Sequence, residues 1–337
     1  LDSIYFSSHT LLELAEKFYL QGGKHLFLDE VHKYPTWSKE LKEIYDLYPS
    51  LQIVFSGSSL LNILNADADL SRRCLPYNMY GLSFREFLMF YKNIRIPVAS
   101  LQEVLENAGD ICQGINEQCR PVQMFNEYLH DGYYPFFTGN REDYYMNIEN
   151  VVNLILEQEM PLLCGVDPAY IRKLKALLSI LASSVPYEVD ITKLAGTIGL
   201  TRNSVITYLQ NLDRAELLKL LYSDLTSVKK MQKPDKIYLQ NPNLLYAIAS
   251  TSVQIGTARE TFAISQLSVN HEIEYGKTQG DFVVDHKYTF EVGGADKTFK
   301  QIADLPDSFI LADNIEYATG KKLPLWMIWE WILWKFF

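Results

Sequence analysis

Two adjacent carboxylates, Asp29 and Glu30, follow a short apolar run, Leu26-Phe27-Leu28. An apolar run of this length, preceded by a glycine pair and followed by acids, predicts a buried parallel strand. The acids would then lie at the carboxyl end of the strand, which is where open α/β sheets bind ligands. There the first acid can help to hold Mg²⁺ on nucleotide phosphates, and the second can orient an attacking water. Taken alone, the same residues are equally compatible with a strand that runs into an acidic turn.

A second strand is predicted over residues 52–55, after a helix over residues 38–47. It ends in four small residues, Ser56-Gly57-Ser58-Ser59. A small polar side chain here, beside the acidic strand, could reach a phosphate and the attacking water without filling the site. Ser58 is the first candidate for this position, and Ser59 is the alternative because strand ends are uncertain by a residue or two.

Four segments then occur in a specific order and spacing: LFLDEVHKYPTWSKELK, IVFSGSSLL, LSRR and GLSFREFL. Together they resemble the bacterial and archaeal AAA-type P-loop ATPases that carry a C-terminal DUF4143 region, and the resemblance extends more weakly over the rest of the chain. It implies binding of ATP and Mg²⁺ and a conformational change driven by ATP. In that scheme Asp29 holds Mg²⁺ through water, Glu30 orients the attacking water, and Ser58 senses the γ-phosphate.

In related ATPases, an arginine at the LSRR segment can act on the nucleotide of a neighbouring subunit and stabilise charge that develops during phosphoryl transfer. Arg73 is the first candidate for this role, and Arg72 is the second. This role requires at least a dimer. The resemblance therefore makes a homo-oligomer possible, although the sequence itself does not show one. The alternative is a surface arginine that pairs with Asp67 or Asp69.

A P-loop ATPase needs GxxxxGK[ST] before the acidic strand, because the backbone N–H groups and the lysine of that loop hold the phosphates. Residues 1–24 contain no such segment; residues 1–6 read as a strand that leads into a helix over residues 10–19. Gly276-Lys277-Thr278 resembles the end of a P-loop, but His271 stands where the first glycine should be. We therefore expect this chain, as given, not to hydrolyse ATP efficiently.

The composition bounds the class of protein. With 337 residues, 48% of them hydrophobic, the chain can bury a full core in two or three domains. Its net charge of −10 argues against broad nonspecific binding of nucleic acid. The four cysteines lack metal-ligand spacing, so we expect reduced thiols and a cytoplasmic location. No run reaches the ~20 apolar residues of a membrane-spanning helix, and the tail over residues 323–337 is expected to be a buried strand or helix rather than an interfacial segment.

The predicted fold class is α/β, and the chain is expected to have four parts. These are an AAA-type ATPase core with a parallel sheet that lacks the P-loop (residues 1–90), a helical lid-like region (91–165), a winged helix-turn-helix (166–240), and a DUF4143 C-terminal region similar to restriction endonucleases (241–337).

The winged helix-turn-helix is predicted from its helix and strand pattern. Thr201 can cap a recognition helix whose exposed face would carry Arg202, Asn203 and Thr207, which are side chains able to touch bases or phosphates. Four lysines surround the predicted wing and suggest a phosphate-facing surface: Lys229, Lys230, Lys233 and Lys236. Contact with DNA is one interpretation, and a packing or protein-interaction role is the other.

Three acids in the last part, Glu260, Asp281 and Glu291, resemble the PD-(D/E)xK nuclease core, as the C-terminal region of the family does. There, two acids from adjacent strands hold Mg²⁺, and a lysine two residues after the second assists the attacking water. Gly293 stands at the position of that lysine. Two later lysines could reach in from further along the chain, Lys297 and Lys300. The expectation is a degenerate nuclease fold used for structure or binding rather than an active nuclease.

The leading hypothesis is a cytoplasmic AAA-type ATPase that couples nucleotide binding and hydrolysis to the binding of a DNA or protein partner, with no membrane contact. The alternative is a non-catalytic DNA- or protein-binding module built on a degenerate ATPase and nuclease scaffold.

Overall fold

The fold is known from a computed structural model, which describes residues 4–57, 70, 73–137, 139–184, 187–188, 190–223, 233–249, 253–277 and 279–329. It is a mixed α/β chain with parallel strand pairs and many helices. It divides into two compact units: residues 1–78 with 159–166, and residues 79–158 with 167–337. No helix within the described ranges combines the length and the hydropathy needed to cross a membrane.

The first unit is built on two parallel strands, β1 (His25–Leu28) and β2 (Gln52–Phe55), paired so that Leu28 lies opposite Phe55. Helices α1 (Leu11–Leu20) and α2 (Trp37–Leu47) pack against each other and supply most of the remaining core. Helix α1 begins at a capping box, in which Thr10 accepts from the Glu13 N–H and the Glu13 carboxylate accepts from the Thr10 N–H. A short helix over Met160–Cys164 also belongs to this unit.

Two expectations for the first unit are wrong. Residues 1–6 were expected to form a strand, but the described part of this segment is a 3₁₀ turn over Ile4–Ser7. The strand β1 was expected to be buried, but only Leu26 and Leu28 face the core, and Phe27 is 74% exposed. Its partner on β2, Val54, is 59% exposed. The sheet is therefore covered on one face only by the described residues of this unit.

The second unit begins with helices that pack around aromatic side chains. They are α3 (Phe84–Lys92), α4 (Leu101–Glu106), α5 (Ala108–Asn116), α6 (Pro121–Asp131) and α7 (Arg141–Leu154), which continues into a π-helical turn over Ile155–Glu159. Helix α3 begins at a buried capping box formed by Ser83 and Glu86. The GLSF segment is fixed because the Leu82 N–H donates to the Tyr133 carbonyl over 2.7 Å, and the Tyr128 hydroxyl donates to the Leu82 carbonyl over 2.7 Å.

The middle of the second unit alternates helices with short strands. The order is α8 (Ile171–Ser183), β3 (Tyr187–Glu188), α9 (Ile191–Ile198), α10 (Arg202–Arg214), β4 (Leu218–Leu221) and β5 (Lys236–Leu239). The strands form an antiparallel sheet in the order β3-β5-β4. The Thr201 hydroxyl caps α10 by accepting from the Ser204 N–H.

The last part of the second unit carries a five-stranded sheet. After α11 (Pro242–Ile248) and α12 (Ile255–Leu267) come β6 (Ile273–Tyr275), β7 (Phe282–Val284), β8 (Tyr288–Gly293), β9 (Ser308–Ala312) and β10 (Lys322–Pro324). Strands β6, β7 and β8 form an antiparallel meander, and β8, β9 and β10 are parallel to one another. The expected burial of the tail is confirmed over residues 323–329, while residues 330–337 lie outside the described ranges.

Candidate functional site

The carboxyl ends of β1 and β2 bring an acid and a hydroxyl together. Asp29 follows β1 directly and Ser56 follows β2 directly, so the parallel register places them side by side. The Ser56 hydroxyl donates to Asp29 Oδ1, and the Ser56 N–H donates to the Leu28 carbonyl over 2.9 Å. Both Asp29 and Ser56 are exposed. This edge therefore presents an accessible carboxylate whose orientation is set by the neighbouring strand.

Glu30 lies at the same edge but faces basic side chains. Its backbone is left-handed, with φ of 55°, a conformation that non-glycine residues adopt uncommonly. Its Oε2 lies 3.0 Å from Lys33 Nζ and 3.9 Å from His32 Nε2. In this arrangement the Glu30 carboxylate is paired with Lys33, so positioning a water would require it to turn away from that lysine.

The predicted sensor, Ser58, and its alternative, Ser59, lie outside the described residues, so that prediction stays open. The hydroxyl that contacts Asp29 belongs to Ser56, which the sequence interpretation did not single out. A signal for it was available, because Ser56 comes first after the last residue of β2 and the parallel pairing sets it opposite Asp29.

Arg73 makes a two-point ion pair with an aspartate of α2. Its Nε lies 3.1 Å from Asp46 Oδ1 and its second guanidinium nitrogen lies 3.2 Å from Asp46 Oδ2. The guanidinium also lies 5.9 Å from the centre of the Tyr45 ring. Arg72 and the two aspartates considered as pairing partners, Asp67 and Asp69, lie outside the described residues. The role of Arg73 on a neighbouring subunit stays a prediction.

The first two turns of α10 present Arg202, Asn203 and Thr207 to solvent, as expected of side chains that contact a partner. Lys229 and Lys230 lie outside the described residues. The assignment of Lys236 to a basic surface is wrong. Its side chain is 11% exposed, and its Nζ lies 4.0 Å from Glu260 Oε2.

That lysine belongs to a buried cluster of acids in the second unit. Glu260 projects from α12, Asp281 immediately precedes β7, and Glu291 lies on β8. The Tyr238 hydroxyl donates to Glu260 Oε2 over 2.7 Å, and Asp281 Oδ2 accepts from the Val292 N–H over 2.8 Å. The fold thus brings together the three acids that the sequence singled out.

Burial dominates the electrostatics of this cluster. It raises the pKa of Glu260, and the negative charge of Asp281 raises that pKa further. Burial also raises the pKa of Glu291, against the opposing effect of a hydrogen bond from Lys297. The exposed fraction of the Glu291 side chain is only 3%. Carboxylates so enclosed need an internal cation to remain ionised.

Lys297 places a cation beside Glu291, next to Gly293, which stands where the nuclease pattern has its lysine. Its Nζ pairs with Glu291 Oε1, and its aliphatic stem crosses Gly293 so closely that a Cβ there would lie 2.8 Å from the Lys297 Cγ. Any side chain at position 293 would therefore displace Lys297. Among the described residues, no three histidine, cysteine, aspartate or glutamate side chains converge in a way that could hold a metal ion.

Comparisons with known proteins bear on two parts of the chain. Residues 1–88 match the family model of an AAA domain, and residues 122–254 match that of a domain of unknown function, DUF8612. Over 217 residues the chain is 29% identical to the uncharacterized protein MJ1637 of Methanocaldococcus jannaschii. The match covers 63% of this chain but 45% of that protein, so the chain spans less than half the length of this relative. No solved structure matches.

The resemblance stated from the sequence is supported in its coarser form. The DUF8612 match covers residues 122–254 and so overlaps only the start of the region expected to be DUF4143, residues 241–337; the DUF4143 assignment stays a prediction. The AAA match covers β1, β2 and the edge that holds Asp29 and Ser56, and it supports an AAA-type, ATPase-like N-terminal part of this chain.

Proposed function

We propose that this chain is part of an AAA-type ATPase that binds Mg-ATP through the first unit and couples nucleotide binding and hydrolysis to a DNA or protein partner. The observation that carries the proposal is the hydrogen bond from Ser56 to Asp29 across the ends of two parallel strands. The carboxyl ends of neighbouring parallel strands are where open α/β sheets bind ligands, and an exposed acid there is placed to help hold Mg²⁺ on nucleotide phosphates.

The residues of this edge fit the roles that Mg-ATP would require. When bound, Mg²⁺ supplies charge stabilisation at the phosphate oxygens. Asp29 is exposed and can accept hydrogen bonds from water on a cation, while Ser56 fixes its rotamer. Glu30 would act on the attacking water after exchanging its contact with Lys33 for that water. Arg73 would act on the nucleotide of a second copy after leaving Asp46, which makes a homo-oligomer part of the proposal.

The test is calorimetric titration with Mg-ATP. The printed 337 residues contain no GxxxxGK[ST] segment, so the titration compares this chain with the same chain preceded by the upstream residues of its gene. In the extended chain, Asp29→Asn should weaken binding at least tenfold, whereas Glu43→Gln, a change at an exposed acid of α2, should leave it unchanged. Equal affinities for the two variants, or an extended chain that does not bind, would defeat the proposal.

A second candidate function, DNA binding by the second unit, is favoured by the exposed first turn of α10. The order of helices and the β3-β5-β4 sheet are typical of a winged helix-turn-helix, in which such a turn meets the major groove. Fluorescence anisotropy with duplex DNA at low salt tests it. Arg202→Ala with Asn203→Ala should reduce affinity and the salt dependence. Arg172→Ala, at an exposed position on α8, is the control.

For the five-stranded sheet we propose a degenerate nuclease-like fold used for structure or binding. The support is the meander of β6, β7 and β8 followed by the parallel strand β9, with lysines of the same chain beside the acids. We expect no Mg²⁺-dependent cleavage of DNA. Cleavage that disappears in Asp281→Ala would show an active nuclease instead.

A further inference from the structure

A cavity of about 160 Å³ lies within the second unit, and none of the residues that line it belongs to the acidic cluster. Its walls are mainly apolar and aromatic, with Ile148 and Val152 from α7 on one side and Tyr133, Tyr134 and Phe136 on another. A cavity of roughly 150 Å³ holds a molecule of the size of benzene. The volume therefore suits a small organic molecule rather than a nucleotide.

Glu216 and Gln240 interrupt the apolar and aromatic lining, and each has an acceptor oxygen that receives no hydrogen bond from the described residues. Glu216 Oε2 and Gln240 Oε1 are buried from solvent and have no hydrogen-bond partner among the described residues. Gln240 as a whole is only 3% exposed. Buried acceptors of this kind are rare in native proteins, because each forfeits its bonds to water.

The backbone at Glu216 adds a second observation. Glu216 follows α10 at the position of a left-handed helix end, with φ of 56°. Its N–H donates to the Asp213 carbonyl, and the Leu217 N–H donates to the Leu212 carbonyl. Glycine is the usual residue at such a helix end because it has no Cβ. A side chain costs about 1–2 kcal/mol in this conformation, so a glutamate here is disfavoured by the local geometry.

The aromatic wall is held in place by close contacts with Gly81 and Asn241. Gly81 of the GLSF segment lies against the Tyr133 ring, and a Cβ at position 81 would lie 2.2 Å from a ring carbon. The Tyr134 hydroxyl accepts from Asn241 Nδ2 over 2.9 Å. The ring positions are thus fixed before any ligand arrives, which lowers the entropic cost of binding.

We propose that this cavity binds a small organic cation that carries N–H donors, such as a primary ammonium or an amidinium, on an apolar or aromatic body of about the size of benzene. The N–H groups would supply donors to Glu216 Oε2 and Gln240 Oε1, and the aromatic rings would face the cation.

Charges around the cavity favour a cation over an anion. Burial raises the pKa of Glu216 to about 7, Lys219 opposes that rise, and Asp213 adds to it. Glu216 and Asp213 therefore interact with Lys219, and Arg214 acts on Asp213 as well. A bound cation would stabilise the ionised form of Glu216, whereas an anion would meet two hydrogen-bond acceptors.

The test uses three probes that share a benzene ring: benzylamine, benzyl alcohol and benzoate. Each is titrated at pH 8 into the full chain and followed by chemical shift changes or calorimetry. We expect benzylamine to bind at least tenfold more tightly than benzyl alcohol and benzoate not to bind. Glu216→Gln should remove most of the advantage of benzylamine. Equal binding of benzylamine and benzyl alcohol, or no binding of benzylamine, would overturn the proposal.

Glu216→Gly separates binding from folding. Glycine relieves the left-handed backbone, so this variant should unfold at the same or a higher urea concentration than the wild type. It should nevertheless lose the preference for benzylamine. Retention of that preference would show that Glu216 does not contact the cation. Because neither readout involves ATP, a failure here leaves the proposed ATPase function standing.

Discussion

Asp29 of the first unit lies at an open strand edge, whereas Glu260 and Glu291 of the second unit are enclosed beside lysines of the same chain. The open acid keeps its hydration and can meet a cation from solution. The enclosed acids have lost most of their hydration, and Lys236 and Lys297 compensate for it. The comparison shows that acids identified by sequence pattern alone can be either exposed and hydrated or buried and paired with a lysine.

The largest expected effect comes from removing the internal cation. Lys297→Met leaves Glu291 enclosed without its ion-pair partner. Breaking a fully buried pair from one side costs about 3–5 kcal/mol, and because the Lys297 side chain is 30% exposed, we expect the free energy of unfolding to fall by the lower end of that range, about 3 kcal/mol. Urea unfolding measures the loss. Lys300→Met, at an exposed position three residues later, is the matched control. If both variants lose the same amount, Glu291 does not depend on Lys297; adding Glu291→Gln to Lys297→Met should restore most of the loss.

The next effect is a pH dependence from Glu216, whose pKa rises from 4.5 to about 7 on folding. The pKa of Glu216 is higher in the folded state than in the unfolded state, so the protonated side chain favours folding. This contribution to the free energy of unfolding is fully present below about pH 4.5 and is lost as the pH rises through about 7. The wild type should lose about 2–3 kcal/mol across that window relative to Glu216→Gln. Urea unfolding of both proteins at pH 5 and pH 8 measures the difference. If the unfolding free energies of the wild type and Glu216→Gln changed equally between pH 5 and pH 8, the raised pKa of Glu216 would be contradicted.

A smaller effect is expected from the donor to Glu260. Tyr238→Phe removes the hydroxyl that donates to Glu260 Oε2 over 2.7 Å. A hydrogen bond to a charged group contributes about 1.5 kcal/mol, so the unfolding free energy should fall by that amount. Tyr317→Phe, at a side chain that is 55% exposed, provides the comparison. A loss no larger than that of the control would mean that Glu260 is satisfied in another way.

The smallest effect is expected at the open edge. Ser56→Ala removes the hydrogen bond to Asp29, but both groups stay in solvent, so the free energy of unfolding should change by about 0.5 kcal/mol or less. Thermal unfolding of the variant beside the wild type measures it. A loss comparable to that of Tyr238→Phe would show that the edge is structural and would remove the distinction between the two regions.

Local features of the fold could be predicted from the sequence. The helix start at Thr10, the Thr201 cap of α10 and the strand over residues 52–55 were predicted as observed. Each depends on side chains within four residues of one another, where capping and alternation act. The parallel pairing of β1 and β2 followed from the same local pattern.

Contacts between elements that are distant in sequence could not be predicted from local sequence patterns. Lys236 was assigned to a basic surface because lysines surround it in the chain, but α12 and Glu260 lie beside it in the fold. The stem of Lys297 crosses Gly293 through a turn whose path the sequence does not specify. Glu216 and Gln240 share a cavity with α7 through packing between segments that are distant in sequence.

The junction between the two sheets of the second unit has a consequence for how that unit opens. The Tyr275 N–H donates to the Tyr222 carbonyl over 2.9 Å, next to the contact of Lys236 with the Tyr275 ring. Strands β4 and β6 are therefore joined through backbone as well as side chains. Amide hydrogens of β4, β5 and β6 should exchange with deuterium through one shared opening event, so that these strands behave as a single cooperative folding segment rather than as two modules on a linker.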